Sequence, residues 1–359
     1  MGSRIASIDI LSKIKPWLLE QEGYRYVEEV GIRLHLNECP WPPPSYVIES
    51  AIQTLYEINR YPSADIFNKL RRLLGDYSGV DLENVYPFVG ADGALKTVFY
   101  NLVEPGETVE FVNPTFSMIP ILASLRGLNS IVIDSFECGE WWGIDVKKLI
   151  ENAGRANMVV LVDPNNPTGS PILRGDRELL SALAERVNGF IIVDEAYYEF
   201  GGYTVAHMVN DYPNLIVIRS LSKAFCLAGF RLGYIIAHRK LISILSKLHT
   251  VFDIPTPTIA AGIAALENRE YVNRVVSKIV ELREWMYTEL RKLGFNAYKS
   301  LTNFLLVKDR RDLKSYMLKH GILIRDVGRN LYRIAIGDEN VCRKVIEVLG
   351  ELREDSYTK

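Results

Sequence analysis

Between about residue 85 and residue 240 the chain alternates short, β-rich apolar runs with helix-like stretches, and this alternation constrains the fold more than any other feature. The runs are Val85–Val89, Thr108–Val112, Ser130–Asp134, Met158–Asp163, Phe190–Asp194, Leu215–Arg219 and Leu232–Ala237. Several are apolar on both faces, which is how strands covered on both sides read. Strand–helix–strand order with buried strands predicts an α/β architecture with a mostly parallel seven-stranded sheet flanked by helices. Ligands of such sheets bind beyond the carboxyl ends of the strands, so the residues that follow each run are the candidates for chemistry.

After about residue 245 the texture changes. Glu267–Leu293 carries an apolar stripe at helical spacing and predicts a long packing helix. Strand-like Phe304–Val307, Ile322–Arg325 and Leu331–Ile336 then interleave with helix-like Arg311–His320 and Glu339–Leu352, as in a smaller α+β domain. With 359 residues and roughly 150 per domain, the expected organisation has three parts. These are an N-terminal arm over 1–35, a large domain over 36–245 and a small domain over 246–359, with a cleft between the domains. The proline-dense Asn37–Pro44 must be extended or turning.

Charge excludes several functions. The 42 Lys+Arg balance 44 Asp+Glu, a net charge of −2 without blocks of like sign, which argues against nucleic acid or an anionic membrane as partner. No uncharged apolar run reaches the roughly 18 residues of a membrane span; Ile254–Leu266 is shorter and holds Pro255 and Pro257. Arg4, Asp9, Lys13 and Lys15 interrupt any signal-peptide core. Cys39, Cys138, Cys226 and Cys342 stand far apart with few histidines, so neither a metal site nor a disulfide framework is expected, and a reducing cytoplasm fits.

Four strand ends carry polar clusters. Gly90-Ala-Asp-Gly-Ala-Leu95 turns from strand to helix and would free backbone N–H groups for a phosphate, although a plain capped turn fits the same residues. Asp163-Pro-Asn-Asn-Pro-Thr-Gly169 is a rigid polar turn. Asp194 ends a buried strand, where a carboxylate needs a partner: a structural cation, or a protonated ring nitrogen with Tyr197 nearby. Lys223 lies between hydroxyl-bearing residues and Arg231, with Ser220 and Ser222 just before it. A lone lysine there would be merely solvated. Together these groups supply an amine for a Schiff base, a phosphate cradle and a pyridinium partner, the set that pyridoxal phosphate requires.

With these motifs in their order, the chain resembles the fold-type I pyridoxal-phosphate-dependent aminotransferases, most closely the histidinol-phosphate aminotransferases. The resemblance runs from about Leu34 to Ile336 and adds Leu36-Asn-Glu-Cys-Pro40, Arg60-Tyr-Pro62, Pro114-Thr-Phe116 and Leu331-Tyr-Arg-Ile-Ala-Ile-Gly337 to the motifs above. It implies Lys223 as the amine that bonds the cofactor and shuttles the proton, and Asp194 as partner of the ring nitrogen. Asn166 and Tyr197 would bond the phenolate oxygen, and Phe116 would stack on the ring. Ala91, Asp92, Ser220, Ser222 and Arg231 would hold the phosphate, with Tyr61 reaching it from the neighbouring subunit of a homodimer with shared sites. Arg333 would bind a substrate carboxylate; Asn37, Arg325 and Trp17 are the further substrate-side candidates.

Three departures from the family pattern bear on specificity. Gly93 stands where relatives usually carry Glu. Cys226 replaces a small residue and reads as a buried free thiol. Trp17 replaces a frequent Tyr near the substrate's distal end, which removes one hydrogen bond to a substrate phosphate, while Arg325 keeps its place. The implied reaction moves an amino group from histidinol phosphate to 2-oxoglutarate. The resemblance leaves three alternatives: an aminotransferase for aromatic or other amino acids, a lyase like threonine-phosphate decarboxylase, and a non-catalytic cofactor-binding sensor. A sensor would need a separate DNA-binding module, and fewer than about 35 residues precede the first motif. The absence of G-x-G-x-x-G excludes a nicotinamide dehydrogenase.

Overall fold

The two-faced runs assemble into one seven-stranded sheet in the computed structural model, which describes residues 11–19, 31–250 and 252–357. The described chain begins with α1 (Pro16–Leu19), β1 (Ile32–Arg33), α2 (Ser45–Thr54) and α3 (Ala64–Ser78). There follow β2 (Val85–Val89), α4 (Gly90–Asn101), β3 (Thr108–Asn113), α5 (Met118–Arg126) and β4 (Asn129–Asp134). A hairpin of β5 (Phe136–Cys138) and β6 (Trp141–Gly143) leads to α6 (Val146–Ala153), β7 (Met158–Val162) and α7 (Arg177–Ala184). The sheet is completed by β8 (Phe190–Asp194), β9 (Leu215–Ser220) and β10 (Leu232–Ala237), with α8 (Tyr198–Gly201) and α9 (Arg239–Leu245) alongside.

Strand order is β2-β10-β9-β8-β7-β3-β4. The ladders from β9 to β4 are parallel, and β10 alone runs against its neighbours β9 and β2. The reversal has a simple cause. Only the short segment 221–231 joins β9 to β10, and a parallel crossover needs a connection of a dozen or more residues, usually including a helix. Every residue of β7, β9 and β10 is buried, as strands covered on both faces must be.

The C-terminal part contains α10 (Thr256–Glu267), α11 (Glu270–Lys292), β11 (Asn296–Tyr298), β12 (Phe304–Lys308) and α12 (Leu313–Lys319). It ends with β13 (Ile322–Leu323), β14 (Arg325–Asp326), β15 (Leu331–Ala335) and α13 (Glu339–Tyr357). Its sheet has the order β11-β12-β15-β14. The single strand expected over Ile322–Arg325 is divided: β13 pairs in parallel with β1, whereas β14 pairs with β15. The N-terminal segment is thereby stitched to the C-terminal body; residues 1–10 and 20–30 of the expected arm lie outside the described residues. Helix α10 packs instead on α2 and α3, with Gly262 set tightly against Leu232 and Leu70. The large body thus takes in α10, beyond the change of texture at residue 245. Strands β5, β6 and β11 are too short to leave a pattern in the sequence.

One expectation is corrected. Cys39 and Cys226, 187 positions apart, form a disulfide with Cα atoms 5.0 Å apart. Cys226 is therefore not a free thiol, and the argument from unpaired cysteines to a reducing compartment falls with it. The pairing depends on a tertiary approach that spacing does not encode. Cys138 and Cys342 are free. Among the described residues no helix is long and apolar enough to cross a membrane.

Beneath the carboxyl edge of the sheet lies a buried ion pair. Arg219 of β9 and Glu195, which follows β8, are each 2% exposed, and Arg219 Nε donates to Glu195 Oε2 at 2.9 Å. Thr204 Oγ1 donates to the same carboxylate and accepts from Arg219 Nη2, and the Tyr198 ring lies 3.6 Å from the guanidinium carbon. Removing one partner strands the other charge in the interior, at a cost of about 3–5 kcal/mol. Glu195→Ala should therefore sharply lower the urea midpoint, while Glu281→Ala, which breaks the exposed pair with Lys278, should leave it close to wild type. Equal midpoints for both variants would contradict this account.

Candidate active site

The short β9–β10 connection is the centre of the site. Lys223 sits in it with Nζ donating to the Leu36 carbonyl at 3.0 Å. Burial, reinforced by the positive charge of Arg333, pushes the amine down to about 8. Asp194 ends the adjacent strand β8, is 3% exposed and accepts the Ala196 N–H at 3.0 Å. Burial pushes its carboxyl up to about 7. Among the described residues no cation lies within ion-pair distance of Asp194, so the structural salt bridge weighed as an alternative belongs to neighbouring Glu195 instead.

At one end of the site lies the first turn of α4, which has no side-chain cap. Gly90 has φ +69°, and a Cβ there would lie 2.5 Å from Arg231 Nη2; a Cβ at Gly233 would lie 2.4 Å from the Ala91 nitrogen. Glycine at both positions lets the guanidinium and strand β10 close directly on the helix start. Arg231 donates to Asp92 at 3.0 Å and to Ser222 at 3.5 Å, while the Ser222 N–H donates to Ser220 Oγ at 3.1 Å. Uncapped N–H groups, two hydroxyls and a guanidinium converge there, a donor set for a phosphate.

At the other end the N-terminal strap crosses the site. Asn37, in the left-handed conformation with φ 55°, donates to Tyr197 Oη at 2.9 Å, and Asn166 approaches the same oxygen at 3.4 Å. Arg333 of β15 donates to Asn166 Oδ1 and to the His35 carbonyl, both at 2.6 Å. Asn303 donates to the Asn37 carbonyl at 3.0 Å. The Phe304 ring meets Tyr197 edge-on, with centroids 5.4 Å apart. Sequence reasoning missed Asn303 and the His35 and Leu36 carbonyls, since a backbone acceptor leaves no residue-type signal.

The remaining candidates are dispersed. Phe116, half-buried, precedes α5 in the loop beyond the carboxyl end of β3. Arg325 lies directly across the β14–β15 ladder from Arg333. Tyr61 is 77% exposed and stacks on Phe252 at the surface. Trp17 donates to the Leu125 carbonyl at 2.9 Å and covers Gly127, beyond the far end of α5 from Phe116. A cleft of about 380 Å³ opens beside the strap, bounded by Arg33, Glu38, Cys39, Trp41, Ser222 and Gly337. The donor set fits pyridoxal phosphate: a buried acid for a ring nitrogen, an amide and a phenol for a ring oxygen, a phosphate cradle and an amine between them.

Comparison with known proteins points the same way. The sequence model of the class I and II aminotransferases matches residues 29–349. A histidinol-phosphate aminotransferase of Sulfurisphaera tokodaii is 46% identical over 98% of this chain and 99% of its own length. Histidinol-phosphate aminotransferase 2 of Archaeoglobus fulgidus is 32% identical over 89% of this chain and 93% of its own. Among solved structures, the histidinol-phosphate aminotransferase of Sinorhizobium meliloti in complex with pyridoxal-5′-phosphate superimposes with a TM-score of 0.84. It is 25% identical and covers 97% of this chain and 100% of that one.

The Asp194 carboxyl has a measurable signature. Its folded value of about 7 lies above the ordinary 3.8, so between those pH values the native state binds more protons than the unfolded one. Cofactor-free protein should therefore lose stability from this group as pH rises from about 4 to about 7. Glu110 and Glu199, pushed up to about 8 by burial, contribute with the same sign. The readout is thus the difference from Asp194→Asn, whose unfolding midpoint should fall less over that range. Parallel profiles would show that Asp194 is ionised in the native protein.

Proposed function

We propose that this chain, which belongs to the class I and II aminotransferases, is a pyridoxal-phosphate-dependent enzyme that moves the amino group of histidinol phosphate to 2-oxoglutarate. The observation that carries the substrate assignment is the arginine pair on the small sheet. Arg325 and Arg333 are directly opposed across an antiparallel ladder, so their side chains leave the same face. Both are half-buried, and among the described residues Arg325 has no carboxylate partner; the Asp326 carboxylate accepts from the Gly328 N–H instead. Like charges so placed are unfavourable unless an anion lies between them. One guanidinium suffices for the carboxylate of a 2-oxo acid. A second is matched by a phosphate on the amino donor.

Bound pyridoxal phosphate supplies an electron-withdrawing ring that stabilises negative charge on the substrate carbon as it loses its proton. Lys223 Nζ would tether the cofactor and then move the proton at that carbon. An amine brought down to about 8 is about one-tenth deprotonated at pH 7, far more than an ordinary lysine, which suits a proton acceptor. Asp194 would hold the ring nitrogen, Asn166 and Tyr197 the ring oxygen, and Phe116 a ring face. Ala91, Asp92, Ser220, Ser222 and Arg231 would bind the phosphate, and Asn37 and Arg333 would orient the substrate. The position of Trp17 against Leu125 gives no support to an apolar substrate pocket built on that residue.

A homodimer belongs to the same reading. Ile48, Ile52, Leu55, Tyr56, Ile58 and Tyr61 leave large apolar side chains exposed on α2 and the segment after it, Tyr56 to 87%. A patch of that kind marks a protein–protein contact. From it Tyr61 would reach the phosphate in the site of a second copy. A cytoplasmic setting is compatible with the disulfide, because intracellular disulfides are found where they are redox-active or in heat-adapted proteins.

Two measurements test these assignments. Arg325→Ala should raise KM for histidinol phosphate by a factor of about 10–100, the loss of one charge-assisted contact, and change turnover of an unphosphorylated aromatic amino acid far less. Equal losses on both donors, or a wild-type preference for the unphosphorylated one, would move the assignment to an aromatic aminotransferase. Sedimentation should show a dimer, and Tyr61→Phe should weaken cofactor binding. A fully active monomer would remove the shared site.

A further inference from the structure

The disulfide lies where the strap meets the lysine loop. Upstream of Cys39 the strap is bonded to the C-terminal body: the Leu34 N–H donates to Leu323, the Ala335 N–H to Leu34, Arg333 to His35, and Asn303 to Asn37. Downstream, Pro40, Pro42, Pro43 and Pro44 are four of the next five residues and have no N–H to donate, which leaves that end few backbone bonds. The anchor is covalent. Cys226 lies three residues past Lys223, with its N–H bonded to the Lys223 carbonyl at 3.2 Å. Asn37 and Cys226 both hold the left-handed conformation, with φ 55° and 58°, which Asn adopts readily but Cys keeps only under restraint from its surroundings. Both cysteines are half-buried and line the cleft, within reach of a small thiol.

We propose that the Cys39–Cys226 disulfide is a redox-dependent positioning element that holds the strap over Lys223 and thereby sets affinity for the amino donor. A dithiol reductant gives two electrons and two protons to the bond; the S–S bond breaks, two protein thiols form, and the reductant becomes the disulfide. Released from Cys226, the strap keeps only hydrogen bonds to present the Leu36 carbonyl and Asn37 to the site. The proposal rests on the aminotransferase reading but not on the identity of the donor.

The test uses the cofactor-loaded enzyme, oxidised with glutathione disulfide or reduced with dithiothreitol, and any donor it turns over. A non-reducing peptide map of the oxidised form should show Cys39 joined to Cys226, and Cys138→Ser should leave that map unchanged. Reduction should raise the donor KM about three- to tenfold with kcat changed less than about twofold, the pattern of lost pre-organisation. Cys39→Ser and Cys226→Ser should show the reduced values under both conditions. Amide exchange at Leu34 and Ala335, which does not depend on turnover, should be at least about tenfold faster after reduction. Alkylation of both cysteines in the oxidised protein would overturn the proposal. So would a lower unfolding temperature with unchanged KM and exchange, which would leave the bond a staple without a role in the site.

Discussion

Arg219 and Glu195 form the contact on which the rest of the site stands. They join the central strands β8 and β9 one residue from Asp194 and one from Ser220, so a single buried ion pair sets the relative height of the acid and the proposed phosphate cradle. Buried charges are tolerable only when fully bonded. Thr204, the Val205 N–H and the Tyr198 ring complete that bonding here. A motif that reads as one functional acid and its neighbours is therefore two devices in succession, with Asp194 facing the site and Glu195 facing the core.

The site itself is held in electrostatic tension. Lys223 and Asp194 are both deep enough that burial disfavours their charged forms, one being pushed down and the other up. Among the described residues, neither is relieved by an ion pair. A bound group that offers a cationic ring nitrogen to one and a bonding partner to the other would offset both penalties, which is a physical reason for cofactor binding and protein stability to be linked. The glycines at 90 and 233 would do the corresponding work at the proposed phosphate end, because any side chain there would collide with Arg231 or with the Ala91 backbone.

In the proposed reading, substrate recognition lies on the other body. The small sheet would contribute Arg325 and Arg333; Arg333 and the nearby Asn303 are bonded to main-chain carbonyls of the strap, which also bonds Lys223. The disulfide closes this path from the lysine side. The binding proposed at the arginines and the proton transfer proposed at the lysine would thus be connected through residues 34–39, a segment without regular structure apart from its neighbour β1.

The amino-acid sequence alone determined the class of fold, the strand ends where polar side chains gather and the kind of cofactor they suit. Two-faced apolar runs are satisfied inside a sheet covered on both faces, most often a parallel one, and polar clusters at their ends gather at its carboxyl edge. What it left open concerns partners distant along the chain. That Cys39 meets Cys226, that Ile322–Arg325 divides between two sheets, that Arg325 faces Arg333 rather than Asp326, and that Trp17 rests on Leu125 are outcomes of packing between segments up to 290 positions apart. Local spacing reports the periodicity of a helix or a strand. It holds no term for which carbonyl a lysine will find or which thiol will lie within bonding distance, because those are settled only when the two bodies close on each other and every buried donor must find an acceptor.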